Sequence, residues 1–105
     1  MNHGDVFWCD FPAPDRRRPV VILTRDWAIP VLTSLTVAPI TSALRTGPAF
    51  VEVSMEDGLF EDSIVNCDAL ATVPKSDFGE FVTAMSEQKL LAVKQAIGFA
   101  LDLDD

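Results

Sequence analysis

Three arginines in a row, Arg16-Arg17-Arg18, are the residues of this chain best equipped for chemistry. Each guanidinium is planar, always charged, and carries five donors in a fork that fits phosphate or carboxylate. They sit between a turn and the apolar run that starts at Pro19, so at least one of them is attached to rigid backbone. Side chains alternate across a strand, so the three cannot all face one way. A second pair, Thr41-Ser42, ends another apolar run directly after Pro39-Ile40, where two hydroxyls could hydrogen-bond a phosphoryl oxygen. A third group, Asp62, Ser63, Asn66 and Asp68, interleaves with Ile64, Val65 and Cys67. His3 is the only histidine, and imidazole, with an ordinary pKa of about 6.5, suits acid–base work. By residue type alone each group has a plainer reading: a solvated basic turn, a strand end, a strand with its polar face out, and a residue of a mobile terminus.

Other chemistries find no foothold. The two cysteines, Cys9 and Cys67, belong to no CxxC, and with a single histidine no zinc-ligand spacing exists. They read as reduced, buried small hydrophobes rather than a disulfide. No glycine-rich phosphate loop, HExxH or GxSxG is present. Neither a metal nor a cofactor is therefore expected.

The elements that must position these residues follow from pattern. Residues 4–11 (GDVFWCDF), 18–24 (RPVVILT), 35–41 (LTVAPIT), 49–54 (AFVEVS), 63–67 and 70–73 read as five or six short strands. Pro12, Pro14 and Asp15 end the first, and Glu56-Asp57-Gly58 makes a hairpin-like turn. Pro19 suits the first positions of a strand or an edge, and Pro39 points to a bulge or an edge. Ser76-Asp77 could cap one helical turn. Leu90, Val93, Ile97 and Leu101 then share one helical face, and Ser86 is a suitable cap, which predicts a helix over 86–101. Gly98 inside it reads as a packing contact. The expected fold is mostly β with α: a small barrel or twisted sheet covered by one amphipathic C-terminal helix.

The chain has 105 residues, of which 49% are apolar, which fits one domain over residues 1–105 with a real core. A core of this size stabilises only moderately, so a homodimer is plausible on size alone. No signal peptide or membrane span is visible, so a cytoplasmic location is expected. The net charge is −8; residues 1–50 carry five basic and four acidic side chains, residues 51–105 three and twelve. Such a field repels polyanions at large, so any polyanion site must be local, and the arginines of the first half are the candidates.

The ordered blocks GDVFWCDF, RRRPVVILTRD, LTVAPITS, VEVS, GLFEDSIVNCDALATV and AIGFALDL resemble the MazF/PemK family of toxin endoribonucleases, over residues 4–103. The similarity is closest to short-loop members that also carry RPV-ILTR and TVAPIT. It implies an SH3-like β-barrel (MazF/PemK/CcdB-like) with a terminal helix, in a homodimer. It implies metal-independent cleavage of single-stranded RNA, leaving a 2′,3′-cyclic phosphate and a 5′-hydroxyl. It also implies a cognate antitoxin protein that blocks the groove, with DNA reached only indirectly through that antitoxin.

By the same resemblance, Arg18, before Pro19, matches the catalytic arginine, and Thr41, in APITS, the catalytic threonine. Asp5 matches a structural position, and Asp68 the place of a groove-shaping glutamate. Arg16, Arg17, Ser42 and Asp68 are taken as substrate-binding candidates. A guanidinium with a pKa above about 12 is not deprotonated in proteins, so Arg18 is read as a transition-state stabiliser and acid, with the base left open. Two departures matter. Only residues 12–17 fill the space where many members have a Gly-Ser-Glu-rich loop. Asp68-Ala69 stands where others have Glu-Gln, so the cut sequence does not carry over. The alternative from another class is a non-enzymatic toxin of this fold that acts by binding a protein, as gyrase inhibitors do.

Overall fold

The computed structural model describes residues 1–11 and 16–103. The expected turn at Pro12, Pro14 and Asp15 lies outside the described residues. Among the described residues, seven strands and one α-helix form in the order β1 (Asp5–Asp10), β2 (Arg17–Ile22), β3 (Ser34–Thr41), β4 (Phe50–Val53), β5 (Ser63–Asn66), β6 (Ala71–Pro74), β7 (Phe78–Ala84) and α1 (Glu87–Ala100). All strand pairings are antiparallel. The sheet runs β4-β5-β3-β2-β1-β7, with β6 also on β3. No pairing joins β4 to β7, so the barrel-like sheet is open there among the described residues.

Strand β7 was not expected. Its sequence, FGEFVTA, is half-buried or exposed along its whole length and gives no clean alternation. It forms because β1 offers it an edge, with Asp5 opposite Ala84 and Cys9 opposite Phe78. The turn at Lys75–Asp77, foreshadowed by Ser76-Asp77, leads into it.

Of the two readings of Pro39, an edge fails, since β3 is central and Pro39 is buried, and an irregularity in the ladder holds. The explanation is in the register. β6 pairs with Ser34 to Val37 of β3, while β5 pairs with Ile40 and Thr41. The 3-10 turn Cys67–Ala69 separates the two partner strands and offsets their pairing to β3. Pro39 falls in the gap between them, where a missing N–H leaves no rung unmade. Pro19 behaves as expected: it faces Trp8 of β1, and pairing of β2 with β3 begins only at Val20.

Two faces of the β2–β3 ladder bury separate clusters. Val6, Val21, Ala38, Ile40, Val53 and Val65 pack beneath Val93 and Ala96 of α1. Cys9, Val20, Val37 and Val73 pack on the other face. The helix starts as expected: Ser86 Oγ accepts from the Lys89 N–H at 3.1 Å. Lys89 Nζ donates to the Glu52 carbonyl at 2.6 Å and lies 3.7 Å from Asp57, tying α1 to β4 and to the turn Met55–Asp57. Leu90 and Ile97 are half-buried, but Leu101 is exposed, because the helix ends there in a left-handed Asp102. Gly98 is buried.

Candidate active site

The site opens where β2 and β3 part company. Their paired rungs are Val20–Pro39, Val21–Ala38 and Ile22–Val37. Continuing that register past Val20 sets Arg18 opposite Thr41. No rung closes there: on their outer edges Arg18 pairs with Cys9 of β1 and Thr41 with Ile64 of β5, while the edges that face each other stay unpaired. A cleft results whose two walls are held by different neighbours. Arg18 and Thr41 both line the hollows on either side of it.

The first hollow, of about 290 Å³, is lined by Trp8, Arg17, Pro19, Ser42, Phe60 and Glu61 beside the Arg18–Thr41 pair. The second, of about 370 Å³, takes in Phe11, Pro39, Arg45, Asn66 and Ala71. Arg17 lines the first hollow only. A larger groove of about 710 Å³ between α1 and β4 contains neither Arg18 nor Thr41.

Thr41 Oγ1 accepts from the Ala43 N–H at 3.2 Å. That bond holds the hydroxyl oxygen in place and leaves its O–H able to donate. The Arg17 guanidinium lies 5.4 Å from the Trp8 ring centroid, within cation–π range. It covers Gly79 of β7 so closely that a Cβ there would come within 3.0 Å of Nη2. Trp8 in turn stacks on Phe60, with centroids 5.5 Å apart and planes at 19°.

Of the expected residues, Arg17, Arg18, Thr41 and Ser42 come together here, and Ser63 and Asn66 join them. Arg16 and Asp68 line neither hollow. Arg16 is exposed with a left-handed φ of 56°, and its carbonyl accepts from the Phe11 N–H at 2.8 Å. Asp68 is exposed on the turn Cys67–Ala69, its N–H on Asn66 Oδ1 at 3.0 Å. His3 sits at the other end of β2: its ring Nδ1 is 3.1 Å from the Leu23 carbonyl, and its backbone N–H donates to Asp26 Oδ1 at 2.7 Å. It is anchored rather than part of a mobile terminus, and lines neither hollow.

Trp8, Phe60 and Glu61 were not singled out by the sequence. Phe60 carried a usable signal, an aromatic inside the acid-rich stretch Glu56 to Asp62. Arg45 was marked only as one of the first-half arginines, with nothing local to set it apart.

Both cysteines are buried and free, and in different clusters. Burial pushes the Cys9 thiol up to about 11, helped by the negative charges of Asp77 and Asp10. Burial, with Asp68 adding, does the same for Cys67, also to about 11. Neither is a nucleophile at neutral pH. Among the described residues no three His, Cys, Asp or Glu side chains cluster as metal ligands, and no helix is long and apolar enough to cross a membrane.

Fold and site together define a small, mostly antiparallel β protein with a guanidinium and a hydroxyl lining the same two hollows. The family described as the PemK-like, MazF-like toxins of type II toxin–antitoxin systems matches residues 2–101, and this chain belongs to it. It is 42% identical over 90 residues to the endoribonuclease MazF3 of Mycobacterium tuberculosis, covering 86% of this chain and 87% of that protein. The solved structure of the M. tuberculosis toxin MazF-mt6 superimposes with a TM-score of 0.88 at 38% identity, covering 96% of this chain and 99% of that one. A mycobacterial endoribonuclease solved with its cognate antitoxin has a TM-score of 0.89 at 22% identity, covering 100% of this chain and 98% of that one, a likeness of fold.

Proposed function

We propose that this protein is the toxin of a type II toxin–antitoxin pair and cleaves single-stranded RNA without a metal, by attack of a ribose 2′-hydroxyl on the adjacent phosphorus. The observation that carries the reading is the Arg18–Thr41 pair across the cleft between β2 and β3. As the 2′-oxygen attacks, negative charge builds on the phosphoryl oxygens. Donors already aimed at that charge are commonly the largest catalytic contribution, each removal costing about 10²–10³ in rate. Arg18 supplies parallel donors and Thr41 one more. Arg18 also donates toward the departing 5′-oxygen, and solvent takes the 2′-hydroxyl proton. The products are a 2′,3′-cyclic phosphate and a 5′-hydroxyl.

Arg17 and Arg45, one in each hollow, hold the flanking phosphates, and Ser42 assists Thr41 from the strand end. The working unit is a homodimer in the cytoplasm. A cognate antitoxin silences it by covering the cleft.

The test is incubation of purified, folded, antitoxin-free protein with a diverse single-stranded RNA in EDTA, beside Arg18→Ala. Discrete cuts with cyclic-phosphate ends, lost in the variant, are expected. No cuts by the folded wild type would turn the reading to a protein-binding toxin.

A further inference from the structure

Phe60 stands out among the residues of the first hollow. Its side chain lies nearly parallel to Trp8, yet it is 64% exposed. A phenylalanine serving only to cover a tryptophan would bury itself in doing so. This one ends a stack in solvent, beside the hollow that Arg18 and Thr41 also line.

The stack is held from several sides. Trp8 belongs to β1, and Arg17 lies against its ring while resting on Gly79. Phe60 follows Leu59, which is buried in the main core, and Gly58, whose left-handed φ of 94° closes the turn Met55–Asp57. An aromatic face built this firmly and left open is suited to a flat, π-bearing ligand.

We propose that Phe60, backed by Trp8 and Arg17, is the platform on which a nucleobase next to the scissile phosphate stacks. This rests on the ribonuclease reading and adds a positioning residue to it. The charge of the protein makes such a contact useful. At −8 overall, long-range attraction does not gather RNA, and the arginines of the two hollows are Arg17, Arg18 and Arg45. Stacking on an aromatic ring needs no net charge, and each base stacked strengthens binding about 5- to 150-fold. A base fixed there also sets the ribose and phosphate beside Arg18 and Thr41, where a small misplacement is costly.

The experiment begins with cut sites mapped for the wild type. A short RNA spanning a preferred site, with a 2′-deoxy sugar at the attacking position, is then made intact and with an abasic residue on either side of the scissile phosphate. Dissociation constants are measured by fluorescence anisotropy for wild type, Phe60→Leu and Phe60→Trp, with thermal melting to verify folding. Removing one of the two bases should weaken wild-type binding about 5- to 150-fold, with little further effect in Phe60→Leu. Phe60→Trp, which keeps a flat ring, should restore the dependence. Equal losses in wild type and Phe60→Leu would overturn the platform, as would wild-type binding indifferent to both bases, a result that needs no variant. Cleavage accompanied by either of these outcomes overturns the platform alone. Absence of cleavage overturns the ribonuclease reading and the platform with it.

Discussion

Arg18 and Thr41 stand opposite each other just past the point where β2 and β3 stop pairing, each held by a different neighbouring strand. Their separation is therefore set by where the β2–β3 ladder stops, with β1 and β5 holding the two strands from outside. Substitutions at the pair should act on the chemical step. Arg18→Ala and Thr41→Val are each expected to lower kcat about 10²–10³-fold with little change in melting temperature. Arg18→Lys should not rescue, since an ammonium lacks the parallel fork. The double variant should lose less than the product of the singles, because both act on the same developing charge. Single-turnover cleavage of one mapped site measures all four.

Few arginines reach the two hollows, so RNA binding should depend only shallowly on salt. Each neutralised phosphate of a single strand contributes about 0.7 to the slope of log K against log salt. Arg17→Ala should reduce that slope by about 0.7, read by titration at several salt concentrations. Gly79→Ala should act on the same residue, because its methyl group would push against the Arg17 guanidinium. Weaker RNA binding with near-normal stability is the expected outcome.

The buried thiols make stability pH-dependent on the alkaline side. Both are raised from 9.0 to about 11 in the folded protein. Below pH 9 they are protonated in both states and the native state keeps its full advantage. As pH rises from 9 to 11 the unfolded chain loses thiol protons that the folded one retains, so stability falls. Urea midpoints at pH 8 and pH 10 should therefore differ. The difference should shrink in a Cys9→Ala/Cys67→Ala double variant measured at both pH values.

Two local features should show in thermal melts. Ser86→Ala removes the side chain that accepts from Lys89 N–H and should cost about 1 kcal/mol, or about 4–8 °C. Gly58→Ala is expected to cost about 1–3 kcal/mol. Its φ is 94°, and a Cβ there would collide with Thr83 of β7. Because Gly58 sets the path into Leu59 and Phe60, the same variant should also disturb RNA binding.

Local pattern made much of this protein readable. The helix, its Ser86 cap and most strands announce themselves through period and turn chemistry, since those signals lie within a few residues of one another. Strand β7 was not readable, because its pairing is imposed by the edge of β1 and not by an alternation of its own. Pro39 read as a bulge or edge residue because nothing in LTVAPIT reveals that a three-residue turn between β5 and β6 leaves a gap opposite it.

The site divides in the same way. Arg18 before Pro19 and Thr41 within APITS could be named from the chain alone, since guanidinium and hydroxyl chemistry travels with the residue type and its place at a strand end. That the two face one cleft, that Arg17 lies against Trp8 and over Gly79, and that Phe60 meets Trp8 were decided only by tertiary structure. Trp8 and Phe60 are far apart along the chain, and so are Arg17 and Gly79. Contacts across such separations depend on strand register and on where strands exchange partners, and no local pattern of side chains records either.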